Sequence, residues 1–218
     1  MRYVENAAAA VLAAAKDMLA KGLVEGTAGN ISARQEDGSI VITPSSVDYE
    51  AMRLEDLVVI DTDGAVLSAA SGRSASSEKL LHLSCYKAFD DVGSVIHSHP
   101  VYATMFAVAH APIPACIDEF AIYVGGDVRV TDYAASGKQA VGDNAVAALE
   151  GRGAALLANH GMVAVAPSPD RALHITALVE RSAKIVWGAR QLGNTHQLPE
   201  KVNQEFASIY GYLRENPL

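Results

Sequence analysis

At 218 residues the chain has the length of one ordinary domain and is long enough to bury a full core. Its 50% hydrophobic content excludes a disordered protein. Its 25 acidic against 17 basic residues give a net charge of -8, and with no Lys/Arg-rich run this argues against a nucleic-acid or anionic-membrane partner.

Leu12, Ala15, Leu19 and Leu23 recur at helical spacing, so the alanine-rich start reads as a helix from about Glu5 to Lys21, closed by Gly22 at the C′ position. Glu5, Lys16 and Asp17 fall within that pattern, unlike the apolar region of a signal peptide, and no apolar run reaches the roughly 18 residues of a membrane span. Cys85 and Cys116 cannot build a disulfide scaffold and read as reduced thiols, so a cytoplasmic location is expected. Gly26–Asn30 is a turn, followed by a strand at Ile31–Arg34, a polar turn, and a partner strand at Ser39–Thr43. A second hairpin follows at Leu57–Asp61 and Ala65–Leu67.

Ser77 is placed to cap a helix Glu78–Phe89, which leads into a strand ending in Val95-Ile96-His97-Ser98-His99-Pro100. Pro100 suits the first turn of a helix Val101–Ala109. Pro112 and Pro114 break that helix, and Cys116–Val130 reads as irregular or strand-like around Gly125-Gly126. Then come a helix Gly137–Glu150, strands Ala154–Ala158 and Met162–Ala166 forming a hairpin with His160 at its tip, a long helix from Pro169 to Gln191, and a final helix Glu200–Leu213. No repeat or linker interrupts the pattern, so the whole chain, 1–218, reads as one α/β unit.

His97 and His99 alternate with Ser98 and so share one face, roughly 6.5 Å apart at Cα, close enough for one metal ion. The pair alone reads equally well as two histidines satisfied by backbone carbonyls. His160, in a turn, is the natural third donor, and Glu78, at a helix start, the natural fourth. Three imidazoles and a carboxylate suit a borderline ion such as zinc, and a carboxylate that can leave the metal can also take a proton. The alternative for Glu78 is a carboxylate that stabilises a helix dipole.

Three separated turns, Thr27-Ala28-Gly29-Asn30, Ser45-Ser46 and Ser76-Ser77, offer hydroxyls, an amide and backbone N–H groups for an anion, although three ordinary capped turns would look alike. His82, one helical turn after Glu78, is either a support for that residue or a structural histidine. His110, His174 and His196 have no evident partner, and Glu180 with Lys184 reads as an exposed i, i+4 charge pair.

Thr27-Ala28-Gly29-Asn30-Ile31-Ser32, Ile42-Thr43-Pro44-Ser45, Ser76-Ser77-Glu78, Val95-Ile96-His97-Ser98-His99 and Asn159-His160-Gly161, in this order, resemble the motifs of the class II aldolase/adducin family over about residues 5–190. Within it they are most similar to the members that cleave L-fuculose 1-phosphate. The resemblance implies that His97, His99 and His160 bind Zn2+, with Glu78 both a ligand of the resting metal and the catalytic acid/base. It implies that Thr27, Asn30, Ser45, Ser76 and Ser77, with the backbone at Gly29 and Ser46, hold the phosphate of a sugar substrate. It implies a three-layer α/β/α fold with a largely antiparallel central sheet, and a homotetramer with sites at subunit boundaries. It also implies a C-terminal segment, about 199–218, that brings Tyr210 over the substrate. Where the fuculose enzymes carry an active-site tyrosine, this chain has Asp118 or a near neighbour.

The implied reaction is cleavage of a ketose 1-phosphate to dihydroxyacetone phosphate and a short aldehyde such as L-lactaldehyde. The same grip would serve a pentose-phosphate 4-epimerase, a methylthioribulose-phosphate dehydratase or a 3-oxo-acid-phosphate decarboxylase, although epimerase relatives tend to carry aspartate where Glu78 stands. A metal-free adducin-like interaction domain is the reading from another class, and the presence of all four ligands argues against it.

Overall fold

The computed structural model describes residues 2–216. Of the domain expected over 1–218, Met1, Pro217 and Leu218 lie outside the described residues. In chain order the elements are α1 (Ala7–Ala20), β1 (Asn30–Arg34), β2 (Ile40–Ile42), β3 (Val58–Ile60), β4 (Val66–Ser68), α2 (Lys79–Ala88), β5 (Ser94–Ser98), α3 (Val101–Val108), α4 (Asp118–Val124), β6 (Arg129–Val130), α5 (Gln139–Leu149), β7 (Ala154–Leu157), β8 (Gly161–Ala166), α6 (Pro169–Gln191) and α7 (Glu200–Glu215). A short 3-10 turn at Leu54–Asp56 precedes β3. No described helix is long and apolar enough to cross a membrane.

The strands form one sheet in the order β4-β3-β2-β1-β5-β8-β7-β6. The sheet is mixed rather than simply antiparallel, because β6 runs parallel to β7 at one edge while the described pairings from β4 through to β7 are antiparallel. Central strands bury both faces, so they read as continuous apolar runs, and successive residues feed two separate cores. Ile31, Ile96, Leu156 and Met162 pack with Met18, Phe106, Phe120 and Val179 from α1, α3, α4 and α6. Ile42, Val58, Val95 and Val163 pack with Leu81, Leu83, Val141 and Leu149 from α2 and α5.

This topology gathers one end of several strands. β5 is antiparallel to both neighbours, so its C-terminal end lies beside the start of β1, with Asn30 opposite His97, and beside the start of β8, with Ser98 opposite Met162. The β7–β8 hairpin turns at the same end, with Leu157 opposite Gly161.

Among the boundaries that differ from expectation, three do so for identifiable local reasons. Cys116–Val130, expected to be irregular or strand-like, contains α4. Phe120, Ala121 and Val124 form its buried stripe, and Gly125, at φ 90°, is its left-handed stop. α2 starts at Lys79, so Glu78 rather than Ser77 occupies the cap position, and the Ser76 hydroxyl accepts from the Glu78 N–H at 3.2 Å. The first helix begins at Ala7 rather than Glu5 but ends as expected: Gly22, at φ 66°, follows it, and Gly22 and Leu23 N–H groups reach back to Leu19 and Met18 carbonyls.

Candidate active site

His97 follows Val95 on the α2 side of β5 and is fully buried. Its Nδ1 lies 2.8 Å from the Met162 carbonyl, which can only accept, so Nδ1 carries a proton and Nε2 is the ring nitrogen that faces the cluster. That nitrogen stands 2.9 Å from His99 Nε2, an approach that is repulsive unless a proton or a cation lies between. His160 completes the cluster: its ring centroid is 4.6 Å from that of His97 and 5.0 Å from that of His99, and one nitrogen from each ring lies within 4.8 Å of the others. Burial, with the nearby imidazoles, pushes His99 down to about 4 and also lowers His160, so both rings are neutral donors near pH 7. This donor set fits a divalent ion such as zinc.

The Glu78 carboxylate faces the cluster, with Oε2 at 3.2 Å from His97 Nε2 and Oε1 at 3.4 Å from His160 Nε2. Asn30 Nδ2 donates to Oε2 at 2.9 Å and Ser136 Oγ donates to Oε1 at 2.7 Å. Burial alone would raise the pKa of this carboxyl, but the hydrogen bond and charge of His97, helped by Ser136 and His160, outweigh it and hold the group ionised well below the usual carboxylate range.

The three expected anion-binding turns divide between two tasks. Hydrogen bonds from Ser76 N–H to the Thr43 carbonyl and from Ser45 N–H to the Ser74 carbonyl zip the Ser45-Ser46 turn to the Ser76-Ser77 loop. Thr27, Ser46 and Ser77 stay exposed. Gly29, at φ 77°, lets the Thr27–Asn30 turn press onto β5, where a Cβ would meet the His97 carbonyl at 2.8 Å. Asn30 is buried and its amide is engaged on Glu78 and His82, so its side chain braces the carboxylate rather than lying open for a phosphate.

The family model of the class II aldolase and adducin N-terminal domain matches residues 9–187. The chain belongs to this family. Among class II aldolase relatives it is similar to the 5-methylthioribulose-1-phosphate/5-deoxyribulose-1-phosphate aldolase of Rhodospirillum rubrum, 37% identical over 91% of this chain and 89% of that one. It is also similar to the 5-deoxy-D-ribulose 1-phosphate aldolase of Bacillus thuringiensis, 32% identical over 93% and 94%. A solved L-fuculose 1-phosphate aldolase superposes with a TM-score of 0.89 at 34% identity, covering 96% of this chain and 98% of that chain.

Other residues of this class II aldolase domain fall outside the cluster. Tyr210 packs on Gly125 and Gly153 and accepts from Arg214 at 3.2 Å, so within one chain its contacts are not with the three imidazoles. Arg214 pins α7 by pairing with Asp91 and lying 5.0 Å from the Phe89 ring centroid. Asp118 sits in the first turn of α4.

His110, which showed no partner in the sequence, bonds Asn159 Oδ1 at 2.7 Å in the hairpin that carries His160. Glu180, read as half of an exposed charge pair, instead accepts the Tyr102 and Ala103 N–H groups at 3.0 and 2.8 Å and so caps α3 just beyond His99. Ser136 had no signal in the sequence, because nothing local ties its loop to a carboxylate 58 positions away.

Proposed function

We propose that the chain cleaves a ketose 1-phosphate between carbons 3 and 4, releasing dihydroxyacetone phosphate and a short aldehyde. The observation that carries this reading is Glu78, an ionised carboxylate aimed at three converging imidazoles and held by donors on both oxygens. The names of the relatives put 5-deoxyribulose 1-phosphate and its 5-methylthio analogue first among substrates. Counting carbons, these would leave acetaldehyde and methylthioacetaldehyde, whereas L-fuculose 1-phosphate would leave L-lactaldehyde.

His97, His99, His160 and the Glu78 carboxylate would hold one zinc ion per chain, and when bound the ion supplies Lewis-acid stabilisation of negative charge on substrate oxygen. Glu78 handles the proton. As the carbon-4 hydroxyl becomes the aldehyde its proton passes to the Glu78 carboxylate, the electron pair of the broken bond stays on carbon 3 of the phosphate-bearing fragment, and the acid form of Glu78 then delivers that proton to carbon 3. In the condensation direction the carboxylate removes that proton.

Thr27, Ser45, Ser76 and Ser77, with the N–H groups at Gly29 and Ser46, grip the phosphate, while Asn30 keeps the carboxylate in line. Tyr210 would close over a substrate from a neighbouring copy in a homotetramer whose sites lie at subunit boundaries, and the two cores on opposite sheet faces support the three-layer reading of the fold.

The test is a product assay on metal-analysed protein supplied with 5-deoxyribulose 1-phosphate, 5-methylthioribulose 1-phosphate, L-fuculose 1-phosphate and L-ribulose 5-phosphate. Dihydroxyacetone phosphate is read by coupled reduction and epimers by NMR. Release from a ketose 1-phosphate supports the aldolase. Epimerised or dehydrated product without release overturns it.

A further inference from the structure

Behind Glu78 lies a chain of buried polar groups that the proposed reaction does not itself require. Glu78 Oε2 is an ionised acceptor, so the atom of Asn30 that faces it at 2.9 Å must be the amide nitrogen. The other end of the amide, Oδ1, can then only accept, and the ring nitrogen beside it, Nε2 of His82, must carry a proton. His82 is fully buried, and burial pushes its pKa down to about 3, so the ring is neutral and has one N–H. That proton being on Nε2, Nδ1 is an acceptor, and the group 2.7 Å from it, Ser32 Oγ, must donate to it. Ser32 Oγ has given up its only proton and accepts from Tyr86 Oη at 2.8 Å. Every bond in the series Tyr86, Ser32, His82, Asn30, Glu78 therefore points the same way. The orientation of each is forced by the carboxylate at its end.

We propose that His82 is a positioning residue for Glu78: an Nε2–H imidazole, fixed by Ser32, that locks Asn30 with its amide N–H on the carboxylate. This rests on the reading of Glu78 as the acid/base. Without the lock, Asn30 Oδ1 would be a buried acceptor with no partner, which favours any shift of the side chain that finds it a donor at the expense of its bond to the carboxylate. The carboxylate would then lose one of its two neutral donors and the direction that donor enforces.

The ring state is read directly by 15N NMR of zinc-loaded, histidine-labelled protein. The expected result is the Nε2–H tautomer for His82 throughout the neutral pH range; an Nδ1–H tautomer or an imidazolium would overturn the proposal. In kinetics, His82→Phe is expected to lower kcat about 10–100-fold with KM and bound zinc per chain unchanged. His82→Gln, whose amide N–H can reach Asn30 Oδ1, is expected to recover most of that loss. Wild-type kcat in His82→Phe, or equal impairment in both variants, would overturn it.

Should His82→Phe fail to fold, Ser32→Ala serves instead. Lowered kcat with loss of the single tautomer supports the lock, and neither change refutes it. Because the tautomer is measured without substrate, a chain that turns over no ketose phosphate would sink the proposed function while leaving the hydrogen-bond series separately decided.

Discussion

Gly161 and His99 meet so closely that a Cβ on the glycine would stand 2.5 Å from the imidazole Cδ2 and 2.5 Å from the Ser98 carbonyl. The hairpin that delivers His160 therefore also sets the position of the His99 ring, and two of the three clustered imidazoles are coupled through one missing methyl group. Gly161→Ala must move either ring or hairpin. The expected outcome is a loss of zinc affinity, measured by chelator competition, with overpacking costing about 1–3 kcal/mol in stability by denaturant unfolding.

Glu78→Gln keeps the size of the side chain and its place at the start of α2 but removes the negative charge and the ability to move a proton. Turnover is expected to fall by about 10²–10⁴-fold. Binding of a phosphate-bearing product, measured by calorimetry, is expected to change little, because the turns proposed to hold the phosphate are untouched.

His97→Ala removes the donor around which the other two rings are arranged. In the parent protein, chelation should lower the melting temperature and zinc should restore it, since a ligand that binds only the folded state adds stability by mass action. In the variant, neither addition should shift the transition, as read by calorimetry.

Stability should also fall with acid in a particular window. His82 is held neutral when folded, with its pKa pushed down to about 3 by burial and then by the charge of nearby His97, partly opposed by Glu78. An unfolded histidine titrates near 6.5. Between those values the unfolded chain binds a proton that the folded chain refuses, so stability drops as pH falls from about 6.5 towards 3. His82→Gln has no ring to titrate, so the stability of the metal-free parent relative to the metal-free variant should fall steadily as pH drops across that window.

How much of this was legible in the sequence follows from how local each feature is. The His97 and His99 pair, the His160 turn and the Gly22 stop depend on neighbours within a few positions, and the structure has them as read. Asn30 was recognised as a site residue, but its side-chain bonds to Glu78 and His82 were not legible, because those partners lie 48 and 52 positions away. Glu180 was misread for the same reason: its partners, the N–H groups that open α3, lie 78 and 77 positions back. α4 was missed because Pro112 and Pro114 suggested extended chain, and because the glycines that end the helix also resemble a loop.

The central claim is that one cation, gripped by His97, His99, His160 and Glu78, is needed for carbon–carbon cleavage. Chelator-stripped protein titrated with zinc, with bound metal and dihydroxyacetone phosphate release from 5-deoxyribulose 1-phosphate followed together, measures this most directly. Activity should rise in proportion to bound zinc and level off at one ion per chain. Full activity in stripped protein, or zinc bound equally well by His97→Ala, would contradict the account.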